Sequence, residues 1–582
     1  MKNNWIIKDQ NPELSAELAR ELNVTPLVGQ LLINRGIDTD ESARRFFESG
    51  IRELPSPFLM AGMEAAVERI VKAVADTETV AVYGDYDADG VTSTSLLCGF
   101  LRSLEVDAIY FTPHRVKDGY GINERAVKEL GARGATLIVS TDCGITADKE
   151  VEAAKAMGID FVVTDHHLPG ERIPDAVAVV NPKLPGCEYP EKDIAGVGVA
   201  FNLALAVRAR LRENGFFDSR EEPNMAHYLD LVAIGTVTDR VPLEGANRIM
   251  VKEGIKRMKA RARPGIEALK KVSRINGSMN SGDIGYRIGP RINAAGRISG
   301  PETAVELLLS ESSEQAQEIA RRLDEQNRSR QQLERDALSE AISVIESGEG
   351  GNSACIVVAS RNWHPGIIGP VASKIVDRYS KPAFAISVDE DGTGRGSGRS
   401  VENLNLFEVL KHCGGMLERC GGHAMAAGIT VSEDKIDTFR DALEEYLGKA
   451  PGDAKQTQAE KTHTIDAKVG IGDLSIEMVR QMEVLEPFGS GNPNPLLLLE
   501  GANIVSHNII NGAHIKLFVE GGNGSGQIEA IWWNAVGRDG SEEPEGLSDL
   551  VFTPEINTWG NRQKLSLRMV DLNKSQSGGG SG

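Results

Sequence analysis

The chain is poor in cysteine: six residues, Cys98, Cys143, Cys187, Cys355, Cys413 and Cys420, in 582, with no C-x-x-C pair among them. That is too few for a disulfide framework in a chain of this length. It also lacks any run of about 18 uncharged apolar residues that could cross a membrane as a helix. The opening Met-Lys-Asn-Asn-Trp-Ile-Ile-Lys-Asp has no apolar stretch of the kind a signal peptide needs. A reduced cytoplasm is the expected setting. Basic charge is in deficit as well, 64 Lys and Arg against 84 Asp and Glu, for a net charge of −20. That balance argues against a protein that coats nucleic acid along its whole surface, but leaves room for a locally basic groove.

Hydrophobic content of 41% and charged content of 25% are ordinary for a globular protein. At about 150 residues per domain the length suggests three or four units. Residues 10–75 have helical patterning and form an expected N-terminal segment, 1–75. From about 76 to 300, short apolar runs alternate with amphipathic stretches: Val80–Tyr83, Ala108–Phe111, Leu137–Thr141, Phe161–Thr164 and Val177–Val180. This alternation is the mark of βαβ units around a parallel sheet. Residues 301–350 hold little glycine or proline, which predicts a long connecting helix between two lobes. A second, smaller α/β unit is expected over 351–450. A Pro/Gly/Lys/Gln-rich stretch follows at 449–461. Beyond it, over 460–573, five strand-like runs separated by Gly/Asn turns fit an OB-type β-barrel: Asn503–Ser506, Ile515–Val519, Ile528–Trp533, Leu550–Ile556 and Leu565–Val570. The last residues, 574–582, read as a flexible tail.

The most informative segment is 79–94. An apolar run ends in Asp85, Asp87 and Asp89 at every second position, followed by Gly90 and a hydroxyl-rich helix start. Three acids in so short a turn repel one another unless a cation sits among them, and hard oxygen ligands favour Mg²⁺ or Mn²⁺. The same rule repeats along the chain. Leu137–Thr141 is followed by Asp142, Phe161–Thr164 by Asp165-His166-His167, and a helical run by Thr238-Asp239. Singly, Asp142 reads more readily as a helix cap, His167 equally as a packed or hydrogen-bonded histidine, and Asp239 as a cap or a partner of Arg240. Together they sit where a parallel sheet binds ligands, at the carboxyl ends of its strands. Carboxylates with one or two imidazoles suit a pair of divalent cations that clamp a phosphoryl group.

The order of motifs Gly84-Asp-Tyr-Asp-Ala-Asp-Gly90, Asp165-His166-His167 and Gly235-Thr-Val-Thr-Asp239 resembles that of the DHH phosphoesterases. A second set is similar to the accompanying DHHA1 region: Arg287-Ile-Gly-Pro-Arg291-Ile-Asn293-Ala-Ala-Gly-Arg297, Trp363-His364-Pro-Gly366, Gly396-Ser397-Gly-Arg399 and Gly421-Gly-His423. With Glu486-Pro-Phe-Gly-Ser-Gly-Asn492 opening the barrel, the resemblance narrows to the single-strand-specific exonuclease branch of the family. It implies two Mn²⁺ or Mg²⁺ ions held by Asp87, Asp89, Asp142, His166 and Asp239, with Asp85 a ligand or beside the ligands. It implies His167, with Asp165, at the reacting phosphate. It further implies that Arg291, Asn293, Arg297, His364, Ser397, Arg399 and His423 hold phosphates and so set the direction of degradation. One departure is notable. Many DHH relatives have a histidine four residues ahead of the first Asp of the Asp-x-Asp pair, where this chain has Tyr83. Which of Asp85, Asp87 and Asp89 bridges the ions stays open.

The implied activity is hydrolysis of single-stranded DNA from its 5′ end to mononucleotides, in recombination and repair. The implied partners are a helicase and single-strand-binding protein, and a monomer is expected. Two alternatives stand beside it: a phosphodiesterase for short oligonucleotides or cyclic dinucleotides, and a non-catalytic DNA-binding scaffold. The barrel argues against the first and the intact acid set against the second. Residues 252–274 carry nine basic residues and two acidic ones, a local excess of 9 − 2 = +7, and are expected to line a path for the phosphate backbone. Trp532, Trp533 and Trp559 are candidate base-stacking platforms, with at least one of the adjacent pair Trp532 and Trp533 expected to face the core.

Overall fold

The computed structural model describes residues 4–575 apart from 116–117, 120, 278, 299, 350–352, 402–403, 450–461, 522–525, 538–543 and 560–561. The stretch 450–461 and most of the tail 574–582 therefore lie outside the described residues, as does the side chain of Trp559. The chain divides into two compact units, residues 1–53 with 459–582, and residues 54–458.

The first unit begins with β1 (Asn4–Ile7), α1 (Pro12–Leu22), α2 (Pro26–Ile33) and α3 (Asp40–Glu48). The second opens with α4 (Met63–Ala75), β2 (Thr79–Gly84), α5 (Ala88–Ser103), β3 (Asp107–Phe111), α6 (Glu124–Ala132) and β4 (Leu137–Thr141). It continues through α7 (Asp148–Ala156), β5 (Asp160–Thr164), β6 (Ala178–Val180), α8 (Gly196–Glu213), α9 (Leu229–Asp239), α10 (Gly245–Arg261) and α11 (Pro264–Val272). The five strands form a parallel sheet in the order β3-β2-β4-β5-β6. Residues of β2 alternate between its faces. Val80 and Val82 join α4, α5 and α8, while Ala81 and Tyr83 join α6 and α7. Both faces are covered, which is why the strand reads as a continuous apolar run. Helix α5 is buried despite its polar start, because Thr92, Ser93, Thr94 and Ser95 turn their hydroxyls back onto main-chain carbonyls of the preceding turn.

A short α12 (Ser281–Asp283), α13 (Gly289–Ile298) and α14 (Glu302–Leu309) lead into the 32-residue α15 (Ser313–Val344). The start of α15 places Ala316, Ile319, Ala320 and Leu323 in the large core around α5 and α8. Its end places Ala337 and Ala341 in a separate core with β7 (Ile356–Ser360), α16 (Ile368–Tyr379) and β8 (Ala383–Val388). One rigid helix is thus part of two cores. The smaller lobe adds β9 (Thr393–Arg399), α17 (Leu406–His412), β10 (Arg419–Gly422), β11 (Ala426–Ser432) and α18 (Ile436–Lys449), with sheet order β10-β11-β9-β8-β7. Among the described residues, only its β7–β8 pairing is parallel.

The first unit resumes with β12 (Thr462–Ile465), β13 (Ala467–Lys468), α19 (Ile476–Met482), β14 (Leu497–Ile510), β15 (His514–Glu520), β16 (Gln527–Trp532), β17 (Gly546–Trp559) and β18 (Arg562–Lys574). Strands β14, β15, β16, β18 and β17 close into a five-stranded barrel through the β14–β17 pairing. Trp532 is inside it and Trp533 is half exposed. The expected N-terminal segment 1–75 is divided between the units. β1 pairs in parallel with β12, and Val28, Leu31 and Leu32 pack with Leu517, Trp532 and Phe552 of the barrel. The buried Asp466 carboxylate accepts from Lys8 Nζ (3.0 Å) and the Leu496 N–H (3.0 Å). Helix α4, in contrast, belongs to the parallel-sheet core.

Candidate metal centre

Strands β2, β4 and β5 are neighbours, and each delivers acids directly past its last residue. Asp87 caps α5, its Oδ1 accepting from the N–H groups of Asp89 (2.9 Å) and Gly90 (3.2 Å). Asp89, within the first turn of the same helix, caps another. Its Oδ2 accepts from Gly196 (2.7 Å) and its Oδ1 from Val197 (2.9 Å), at the start of α8, where Ala195 has no side-chain oxygen to offer. Asp142 follows β4 in the left-handed region (φ 61°), which residues with a β-carbon adopt infrequently. After β5, Asp165 Oδ1 accepts from the N–H of His166 (2.7 Å) and His167 (3.1 Å) and lies 2.7 Å from His167 Nδ1. Its Oδ2 accepts from the Ile145 N–H at 3.0 Å. Asp239 is the last residue of α9.

These elements bring the distant acids together. His166 Nε2 lies 3.1 Å from Asp142 Oδ1, 3.7 Å from Asp239 Oδ2 and 3.9 Å from Asp89 Oδ2. Three overlapping clusters, Asp85/Asp87/Asp142, Asp89/His166/Asp239 and Asp142/His166/His167, each gather their ligand atoms within 4.8 Å. Two glycines make room. A Cβ on Gly196 would stand 2.7 Å from the Asp142 Cβ, and one on Gly235 would stand 2.7 Å from Asp89 Oδ1.

The electrostatics show what the crevice is suited to hold. Burial, then the neighbouring Asp87, pushes Asp89 up to about 7. Burial, then Asp89 and Asp87, pushes Asp239 up to about 8. Asp85 and Asp142 are driven well above the usual carboxylate range, first by burial and then by adjacent acids. Burial and the charge of His167 hold His166 down to about 4, so it is a neutral donor atom. Burial alone would lower His167 too, but its bond to Asp165 outweighs this and raises it to about 9. Among the described residues, Asp85 Oδ1, Asp142 Oδ1 and His166 Nε2 are buried with no aligned hydrogen bond. Unsatisfied buried oxygens and a neutral imidazole, amid acids that cannot all ionise, are the donor set a hard divalent cation satisfies.

The residues expected to hold phosphate do not all meet. Asn293 Oδ1 accepts from the Ala88 N–H (2.8 Å), so it braces the acidic turn. Arg297 lies behind that turn and donates to the Gly366 carbonyl (3.1 Å); burial, then Arg115 and Arg330, pulls it down to about 10. Arg399 donates to Ser397 Oγ (2.9 Å) and the Gly398 carbonyl (2.8 Å). A Cβ on Gly369, near the start of α16, would meet that guanidinium at 3.0 Å and Ser397 Oγ at 3.4 Å. His364 Nδ1 accepts from the Gly366 N–H at 3.0 Å. Arg291 instead pairs with the buried Asp324 of α15 (2.8 Å), and His423 is exposed beyond β10. In the basic run 252–274, Lys256, Lys270 and Arg263 are paired with Glu253, Glu267 and Asp230.

Sequence reasoning passes over Arg115, between β3 and α6. Its guanidinium stands 5.3 Å over the Tyr86 ring, close enough to Arg297 and Arg399 for its charge to lower both. No motif surrounds it. Its one signal is position, just past the end of β3 at the rim that carries the acids.

Residues 79–236 match the DHH family, N-terminal domain; residues 351–449 match the DHHA1 domain; residues 465–571 match the RecJ OB domain. The single-stranded-DNA-specific exonuclease RecJ of Bacillus subtilis (strain 168) is 38% identical over 579 residues, covering 99% of this chain and 71% of that protein. The crystal structure of RecJ in complex with Mn²⁺ from Thermus thermophilus superposes with a TM-score of 0.82 at 28% identity, over 99% of this chain and 80% of that one. The Mg²⁺ complex of RecJ from the same organism gives 0.77 at 26% identity, over 99% and 79%. Sheet order, acid clusters and similarity over nearly the full length agree: the chain belongs to the RecJ family of DHH/DHHA1 phosphoesterases.

Proposed function

We propose that this chain is a metal-dependent exonuclease that degrades single-stranded DNA from the 5′ end to mononucleotides. The observation that carries the reading is the convergence of Asp85, Asp87, Asp89, Asp142, His166 and Asp239 into overlapping clusters at one rim of the sheet. Asp142 is common to an acid cluster and an imidazole cluster, so it would lie where the two sets of ligands meet. Asp85, Asp87 and Asp142 would hold one, and Asp89, His166 and Asp239 the other. Such a pair, Mn²⁺ or Mg²⁺, supplies Lewis acidity at the phosphodiester and makes water a competent nucleophile near neutral pH.

The protein's own side chains do the remaining work. His167, protonated through its bond to Asp165, presents a cation and a proton to a phosphate oxygen beside the acids. Arg115, Arg297 and Arg399 supply the complementary charge. Among the described residues Arg115 has no ion-pair or hydrogen-bond partner, and Arg297 and Arg399 bond only neutral oxygens. Half-buried guanidinium groups without a carboxylate suit an anion, and Ser397 with the start of α16 adds neutral donors. A 5′-terminal phosphate held there places the first phosphodiester over the acids, and so fixes direction. By family likeness the enzyme works in the cytoplasm as a monomer, in recombination and repair, alongside a helicase and single-strand-binding protein.

The test is degradation of a long single strand labelled at either end, in Mn²⁺ and in chelator. Label released from the 5′ end only in the presence of metal supports the reading. Consumption of dinucleotides alone would favour the short-oligonucleotide phosphodiesterase.

A further inference from the structure

Cys355, Cys413 and Cys420 all belong to the smaller lobe, and its fold brings the last two together. Cys420 is exposed on β10, the edge strand of the sheet, and stands opposite Ile429 of β11. Directly paired residues of an antiparallel ladder project to one face. Cys420 therefore shares the face of Ile429, which joins Cys413, Phe384 and Phe439 in the core beneath α17 and α18. Cys413 is buried and ends α17. The Leu406 N–H donates to the Ala424 carbonyl at 2.8 Å, which fixes the start of α17 beside the turn that follows β10, and α17 packs along that strand. From this fixed point the helix advances about 10 Å to Cys413. The strand runs back about 13 Å from Ala424 to Cys420. The two cysteines thus stand at nearly the same level on elements already in contact.

The pair is asymmetric. Burial, then the nearby Cys420, pushes the Cys413 thiol up, so it is held protonated and away from solvent. Cys355 is buried in the same core and is pushed up as well, first by burial. Of the three, only Cys420 meets a reagent in solution first. Little restrains the segment between the pair. A Cβ on Gly414, Gly415 or Gly421 would meet nothing within 4 Å, and among the described strands β10 is paired with β11 alone. Because Cys420 is exposed and Cys413 is buried, a bond between them draws β10 toward α17. The turn that carries His423 moves with it, since the His423 N–H donates to the Ala426 carbonyl at 2.8 Å at the end of that strand.

We propose that Cys413 and Cys420 form a thiol–disulfide switch on the turn bearing His423, set by a low-molecular-weight disulfide. The Cys420 thiolate attacks one sulfur of that disulfide and releases one thiol. Cys413 then gives its proton to water, and its sulfur attacks Cys420 and expels the second thiol. Two electrons pass from the cysteine pair to the added disulfide, and a thiol reductant reverses both steps. The bond stands apart from the exonuclease reading; only its effect on cleavage rests on it. The test treats the full chain with glutathione disulfide, blocks the remaining thiols with iodoacetamide and maps tryptic peptides by mass. Trypsin cuts after Arg419 and so separates the two cysteines. The expected result is one joined pair of peptides, about 2 Da lighter than the two thiol forms together. Single-strand cleavage should fall about fivefold as His423 is displaced, and dithiothreitol should restore it. Cys420→Ser should be blind to the treatment in both readouts, and Cys413→Ala should stop at a mixed disulfide on Cys420. If Cys413→Ala does not fold, Cys420→Ser decides. Both thiols left open to alkylation, a bond to Cys355 instead, a lasting mixed disulfide in the unaltered chain, or a bond that leaves cleavage unchanged overturns the proposal. A reduced chain that degrades no strand overturns the exonuclease reading, and the peptide map still decides the bond.

Discussion

The acid rim and the arginine pocket are electrostatic mirror images within one unit, built in different ways. At the rim, burial and mutual repulsion push four carboxylates up, and the arrangement demands a cation. In the pocket, burial and the charge of Arg115 pull Arg297 and Arg399 down, and the arrangement demands an anion. The rim is assembled from strand ends and held by main-chain hydrogen bonds, such as those from Gly196 and Val197 to Asp89. The pocket is assembled from a connection, a helix end and a strand, and its guanidinium groups are held by neutral carbonyl and hydroxyl oxygens. On the proposed reading, metal answers the first charge and the DNA phosphate the second.

The largest effect is expected from Asp142→Ala. Removing the acid common to two clusters should lower cleavage on the order of a thousandfold, while single-strand binding, measured by fluorescence anisotropy in chelator, stays near the unaltered value. Wild-type turnover in that variant would remove Asp142 from the metal centre. Gly196→Ala is the subtler version, since its Cβ would stand 2.7 Å from the Asp142 Cβ. It is expected to cost about a hundredfold in kcat through displacement of Asp142, again with binding retained.

On the pocket side, Arg399→Gln should raise KM about tenfold and lower the dependence of binding on salt by about one phosphate contact, with little change in kcat. A fall in kcat with KM unchanged would show that the pocket serves chemistry rather than grip. Arg291→Gln separates a structural arginine from the gripping ones. Because its guanidinium pairs with buried Asp324, the loss should appear as about 1–3 kcal/mol of stability in thermal unfolding, with KM unmoved. Finally, Mn²⁺ should raise the unfolding temperature of the unaltered chain by a few degrees, and this rise should vanish in Asp142→Ala.

Much of the rim is legible before any folding is considered. Asp85, Asp87, Asp89, Asp142 and Asp165-His166-His167 each follow an apolar run, and a parallel sheet sends the ends of such runs to one edge. The arginines are not legible in this way. Arg291 and Arg297 lie in one helix, yet one is taken up by Asp324 and the other lies beside the acidic turn. Arg115 has no motif at all; it lies in a turn where the His114 N–H donates to Asp118, and its guanidinium stands over Tyr86.

Local periodicity in the chain is enough to set the alternation of strand and helix, the acids at the ends of elements, and the barrel-forming strands. Which charges meet and which cancel was settled by long-range packing, as was the closure of residues 1–53 onto a barrel at the far end of the chain. Those outcomes depend on burial and on partners remote in the chain, and no local pattern encodes either.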